Sequence, residues 1–173
     1  MSNAESGLGF NNQRVLLRCG TPDDADFVIS LLNDPSFIRH IGDKAVRCQQ
    51  SALTYIEDTF ISPLAKGLGA RVVTLTNGEP IGMVGLFQRP NLDCPDLGFA
   101  LLSTHHNKGY MFAAAQLFLQ HHAHQHKKLY AITAKSNHAS YALLEKLGFI
   151  LTLSTELDNK CEYDRLLTYC PDY

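Results

Sequence analysis

Residues 96–134 constrain the fold more than any other stretch. Asp96 to Ser103 reads as a strand, and Lys108 to about His126 switches to helical spacing with Ala115, Phe118, Leu119 and His122 on one face. Leu129 to Ala134 then returns to a strand. Strand, helix and strand in succession make a βαβ crossover, whose two strands lie parallel in one sheet. The surroundings differ in kind. Ala70–Thr76 and Glu79–Gln88 flank Asn77-Gly78, a hairpin signal whose two central residues are expected at positive φ. Val15–Cys19 opens the pattern, and Phe149–Leu153 and Glu162–Tyr169 close it with two further strands. The fold class is therefore α+β, with about seven strands and one βαβ crossover.

Helices fill the gaps. Thr21-Pro22-Asp23-Asp24 combines an N-cap, a proline at the first helical position and acids in the first turn, ahead of Phe27, Ile29, Leu31 and Leu32. Asn33-Asp34-Pro35 stops that helix. A second spans about 49–61, with Leu53, Ile56 and Phe60 at i, i+3 and i+7, closed by Ser62-Pro63. A third runs from Asn137 to Leu147, with Ser140, Leu143, Leu144 and Leu147 on one stripe and Gly148 beyond its end. The polar, Gly-rich residues 1–12 read as a flexible leader, and 13–173 as a single domain.

Composition narrows the function by exclusion. A formal charge of −2 over 173 residues lacks the basic excess of a nucleic-acid binder. No apolar run reaches the ~18 residues of a membrane span. Five scattered cysteines without a C-x-x-C suit free thiols in a reducing cytosol, so a cytoplasmic location is expected. His121, His122, His124 and His126 cluster, with His122 and His126 at i, i+4. No acidic third ligand lies near, so packing on the stripe of Phe118 and Leu119 accounts for them and no metal is expected.

The candidate site lies where the strand at 96–102 meets the helix. Ser103-Thr104-His105-His106-Asn107-Lys108-Gly109 is a short polar loop that ends at a helix start, where unpaired N–H groups and the helix dipole favour an anion. Lys108 adds a cation there and Gly109 lets the backbone approach. It is neither a Walker loop nor a Rossmann fingerprint.

His106-Asn107-Lys108-Gly109-Tyr110-Met111 resembles the [Q/R]-x-x-G-x-[G/A] loop of the GCN5-related N-acetyltransferase (GNAT) superfamily. Asn137-His138-Ala139-Ser140 through Lys146-Leu147-Gly148-Phe149 resembles the family's N-x-x-S-x-x-x-x-x-K-x-G-F element. Asn33-Asp34-Pro35 with Phe37 to Gly42 is similar to the branch holding ribosomal-protein N-terminal acetyltransferases. His106 stands where Gln or Arg is usual, Met111 where a small residue is usual, and Leu144 where many members carry a tyrosine acid.

The resemblance implies that the strands form a mixed, mostly antiparallel sheet with helices on both faces and a splayed parallel strand pair. It implies acetyl-CoA as cofactor and a primary amine, small molecule or protein N-terminus, as acceptor. It implies that freed backbone groups of Phe99, Leu101 and Leu102 hold the pantetheine arm. Asn107, Lys108, Gly109, Tyr110, Met111 and Phe112 would hold the pyrophosphate, and Asn137 and Tyr141 would contact the cofactor. Asp96 is the candidate general base and Ser140 the candidate acid for the departing sulfur. A non-catalytic acyl-CoA-binding module is the alternative, motivated by Leu144, and a nucleotide-binding protein the third reading. The acceptor's identity and homodimerisation stay open. Asp93, Glu57 and Asp58 are acids that could draw a cationic amine.

Overall fold

The computed structural model describes residues 10–11, 13–154 and 164–171. Among the described residues eight strands enter one sheet: β1 (Phe10–Asn11), β2 (Val15–Arg18), β3 (Gly69–Leu75), β4 (Pro80–Phe87), β5 (Asp96–Leu101), β6 (Leu129–Thr133), β7 (Ile150–Ser154) and β8 (Arg165–Tyr169). Their order is β1-β2-β3-β4-β5-β6-β8-β7. Every neighbouring pair is antiparallel except β5 and β6. The seven strands expected from periodicity are present. The eighth, β1, corrects the reading of 1–12 as leader throughout: Phe10 and Asn11 pair with Leu17 and Leu16. The remaining leader residues and the expected strand start at 162–163 lie outside the described residues.

Five α-helices among the described residues connect the strands: α1 (Ala25–Leu32), α2 (Pro35–His40), α3 (Gln49–Ile56), α4 (Tyr110–His122) and α5 (His138–Lys146). The segment expected as one helix over 49–61 changes gait, from α3 into a π-turn at Glu57–Ile61 and a 3-10 turn at Ser62–Lys66. Pro63 has no N–H to continue the α-ladder. The expected helix start at Thr21-Pro22 is a 3-10 turn, Pro22–Asp24, that runs on into α1 at Ala25; the Thr21 N–H donates to Asp24 Oδ2 at 2.8 Å. Arg18 adds a two-pronged ion pair to the same carboxylate, at 2.6 and 2.8 Å.

The β3–β4 hairpin forms, but with another turn than expected. Only Gly78 takes a positive φ (90°), and Asn77 does not. The Gly78 N–H closes a turn onto Leu75 O at 2.9 Å, and Leu75 N–H bonds Glu79 O at 2.9 Å. A type I turn followed by a left-handed glycine gives this pattern.

The sheet separates two apolar layers. On one face α4 and α5 bury Ala114, Ala115, Phe118 and Leu144 against Val15, Val73, Val84, Leu97, Leu129 and Ala131. On the other, α1 and α3 bury Val28, Leu31, Leu32, Ala52 and Ile56 against Val72, Met83 and Ala100. Alternation along β5 therefore turns Leu97, Phe99 and Leu101 toward the α4–α5 layer and Ala100 and Leu102 toward the α1–α3 layer.

Candidate active site

The parallel pair begins to pair and then parts. β5 and β6 share one registered pair, Asp96 with Tyr130, and the Tyr130 N–H donates to Pro95 O at 2.9 Å. Beyond it the two strands run on without a further registered pair. Leu102 N–H donates to Ile81 O on β4 at 2.9 Å. Backbone groups alternate sides along a strand, so those of Phe99 and Leu101 face away from β4, toward the gap. That corrects the expectation for Leu102, whose N–H belongs to the β4–β5 ladder. The Leu101 carbonyl is also engaged: it accepts from His106 Nε2 at 2.9 Å, which fixes that ring's proton on Nε2.

The loop between β5 and α4 is tied down at several points. His105 N–H bonds Leu102 O at 2.9 Å and His106 N–H bonds Ser103 O at 3.2 Å. Lys108 Nζ turns back to Thr104 O at 2.9 Å. Arg14 Nη2 donates to Lys108 O at 2.6 Å, and its guanidinium lies 5.3 Å from the Tyr110 ring centre. Asp34 Oδ2 accepts from both Ser103 N–H and Ser103 Oγ. Asn107 (φ 59°) and Gly109 (φ 76°) take left-handed conformations, and a Cβ on Gly109 would sit 2.9 Å from Arg14 Nη1.

Gly109 is the N-cap of α4 and has no side chain to cap it. The ladder starts with Ala113 N–H to Gly109 O at 3.1 Å. The N–H groups of Tyr110, Met111 and Phe112 precede it and have no intrahelical acceptor. With the dipole they form an anion-binding end, suited to a pyrophosphate. Met111 does not crowd this end with its side chain, which is 6% exposed in the core. Phe112 has Lys146 Nζ 5.3 Å above its ring and lines a groove of about 230 Å³ between α4 and α5, together with Gln116, Leu119 and Tyr169.

Asp96 lies where β5 and β6 part. It is 2% exposed, a buried side chain rather than a solvated one at the strand's edge. Arg89 Nε donates to its Oδ1 at 2.9 Å. Burial pushes the Asp96 carboxyl up from the ordinary range, and the Arg89 bond and charge oppose this without cancelling it. A buried carboxylate held more basic than usual is what a general base requires. Arg89 comes from the 88–95 loop, which Lys128 also holds through Asp93 at 3.0 Å.

On α5 the N-terminus is closed by its own residue. Asn137 Oδ1 accepts the Ser140 N–H at 3.1 Å. Tyr141 lies under the Arg165 guanidinium, 4.5 Å from the ring centre. A hydrogen bond to Glu145 raises its phenol above the usual value, which makes it a poorer acid. Leu144, at the family's tyrosine position, is 1% exposed in the core. The site thus brings together Asp96, the gap-facing backbone of Phe99 and Leu101, and the open start of α4. Of the three expected acids, Glu57 accepts from Ser62 Oγ at 2.6 Å and Asp93 is paired with Lys128.

Three contributors escaped the sequence reading as site residues: Arg14, Asp34 and Arg89. Asp34 carried a signal, since Asp-Pro marks a helix start, and it caps α2. The His121–His126 cluster lies at the far end of α4. His122 stacks on Phe118 at 4.3 Å, and burial, then the Arg71 charge, lowers its pKa to about 4. That is the packing role. Among the described residues no three His, Cys, Asp or Glu side chains group as a metal site.

Residues 14–150 match the acetyltransferase (GNAT) domain family. A comparison with curated protein sequences finds no match. Among solved structures, an acetyltransferase from Agrobacterium tumefaciens superposes with a TM-score of 0.76 at 21% identity, covering 98% of both chains. RimL, a ribosomal L7/L12 alpha-N-protein acetyltransferase in complex with coenzyme A, gives 0.80 at 14% identity over 94% of this chain and 98% of its own. A Salmonella typhimurium acetyl transferase that modifies the N-terminal serine of L7/L12 gives 0.74 at 14% identity, over 93% and 97%. At these identities the likenesses show the fold. The family match over most of the chain goes further: the chain belongs to the GNAT family and is an N-acetyltransferase that uses acetyl-CoA.

Proposed function

We propose that this chain transfers the acetyl group of acetyl-CoA to a primary amine, on a protein N-terminus or a small molecule, by direct attack with both reactants bound. The observation that carries the reading is Asp96, a buried, basicity-raised carboxylate where β5 and β6 part, on the same strand that leads to the uncapped start of α4. Acetyl-CoA supplies a thioester, an acyl group already activated toward an amine.

The chain's residues do the rest. The N–H groups at Gly109 to Phe112 hold the pyrophosphate, and the gap-facing backbone of Phe99 with the Leu101 N–H aligns the arm, the Leu101 carbonyl being held by His106. Asn137 fixes the turn that presents Ser140. The amine's C–N bond forms as the thioester C–S bond breaks; Asp96 removes the amine's proton, directly or through one water, and the Ser140 hydroxyl donates a proton to the leaving thiolate and regains one from solvent. The likeness to RimL, a ribosomal-protein acetyltransferase, favours a protein N-terminus as the first acceptor to try.

The test is thiol release from acetyl-CoA over a panel of short peptides with free or blocked N-termini and of small amines. Turnover with free N-termini and none with blocked ones supports the reading. Coenzyme A binding without turnover on any amine would refute it in favour of a binding module.

A further inference from the structure

Asp34 is 69 residues from the loop it serves. As the N-cap of α2 it needs one oxygen, and Oδ1 accepts the Ser36 N–H at 2.9 Å. Oδ2 reaches across to the end of β5, where it accepts Ser103 N–H at 2.9 Å and Ser103 Oγ–H at 2.8 Å. Helix capping does not account for this second oxygen.

The side chain is 8% exposed. Burial pushes its carboxyl up, yet the Ser103 and Ser36 bonds, with the nearby His106, hold it below the ordinary carboxylate range. It is therefore charged at neutral pH. Hydrogen bonds to a buried charge are stronger than neutral ones, so the connection is stiff.

Ser103 opens the 3-10 turn Ser103–His105 and accepts the His106 N–H, so holding Ser103 holds the first half of the loop. Arg14 holds the second half at Lys108. The bond from Asp34 also joins the two layers. α2 follows α1 on one face of the sheet, and the loop feeds α4 on the other.

We propose that Asp34 is a positioning residue for the donor's phosphate site. Through Ser103 it sets the β5–α4 loop so that the N–H groups of Gly109 to Phe112 converge before the ligand arrives. A preorganised loop loses less entropy on binding. This inference rests on the reading of the α4 start as the phosphate site.

Asp34→Asn separates the two duties. Asparagine is a good N-cap and keeps an oxygen for Ser36, but its amide nitrogen cannot accept from Ser103. Asp34→Ser caps as well and is too short to reach Ser103, which guards against a flipped amide. Calorimetry gives the Kd of coenzyme A and of pantetheine, which lacks the phosphates, for the wild type and both variants. Thermal unfolding monitors the fold.

The expected result is a rise of about tenfold in the Kd of coenzyme A, since only part of the energy of the two lost charge-assisted bonds passes through the loop to the ligand, with pantetheine within about twofold. Ser103→Ala removes one of the two bonds and gives a smaller loss of the same selectivity. Equal losses for both ligands, or none for coenzyme A, would overturn the proposal. A wild-type protein that binds coenzyme A no more tightly than pantetheine would overturn the phosphate-site reading itself, and the role of Asp34 with it.

Discussion

Two strand–loop–helix corners flank the gap between β5 and β6, and they use the same geometry in opposite ways. At the β5–α4 corner the helix begins on a glycine with no side-chain cap, and the loop before it is held by Asp34, Arg14 and His106. At the β6–α5 corner Asn137 caps its own helix through Ser140 N–H. One corner is rigid in its loop and open at its helix end. The other is closed at its helix end by a local bond. An open helix end carries unsatisfied N–H groups, which water or an anion must satisfy, and only a loop fixed from outside keeps them converged. Under the proposed function, the difference gives the phosphates to α4 and leaves α5 to present a side chain.

The largest effect is expected from the residue both corners share a strand pair with. Asp96→Asn lowers kcat about 100-fold or more, the usual scale for a lost general base, while the Kd of acetyl-CoA stays within about twofold. Stopped-flow thiol release with calorimetry checks both. An unchanged kcat removes Asp96 from the chemistry.

Gly109→Val is next and strikes the open corner alone. A branched side chain at φ 76° is strained and meets the Arg14 guanidinium. Strain of ~1–3 kcal/mol at such a backbone corresponds to a loss of about 5- to 150-fold in acetyl-CoA affinity. Unaltered affinity would mean that α4 does not hold the phosphates.

The loop from β4 to β5 offers a finer probe. Asp96 must be ionised to take a proton, so kcat/KM rises with pH through the carboxyl's value in the free enzyme. Arg89 holds that value down against burial. Arg89→Gln therefore moves the rising limb to higher pH, and the variant loses most below the limb and little above it. A limb that stays put, or moves down, shows that Arg89 does not govern Asp96.

How far the sequence revealed these corners depended on how local their causes are. Period-two and helical patterns are written in neighbouring residues, so β5, α4, β6 and α5 were legible, and so was the glycine at the α4 start. The Asn137 cap was within reach for the same reason, its bond spanning three residues. The straps on the open corner were not. Arg14 meets Lys108 across 94 residues and Asp34 meets Ser103 across 69. Leu102 illustrates the limit from the other side: whether a strand N–H faces the gap or the ladder depends on register with β4, which no composition or period discloses. The shift of register between Val73, opposite Gly82, and Thr74, opposite Pro80, is equally silent in the sequence.

The smallest effect tests the closed corner. Asn137→Ala leaves the Ser140 N–H without its side-chain acceptor, and a lost N-cap destabilises by ~1 kcal/mol. In a chain of this size that lowers Tm by about 2–4 °C. Because α5 presents a side chain rather than its helix end, coenzyme A affinity should fall far less than in Gly109→Val. Differential scanning calorimetry and ligand titration on the two variants set the corners side by side. If Asn137→Ala spares Tm and weakens coenzyme A as much as Gly109→Val does, the contrast between them fails, and both helix starts must be read as donor contacts.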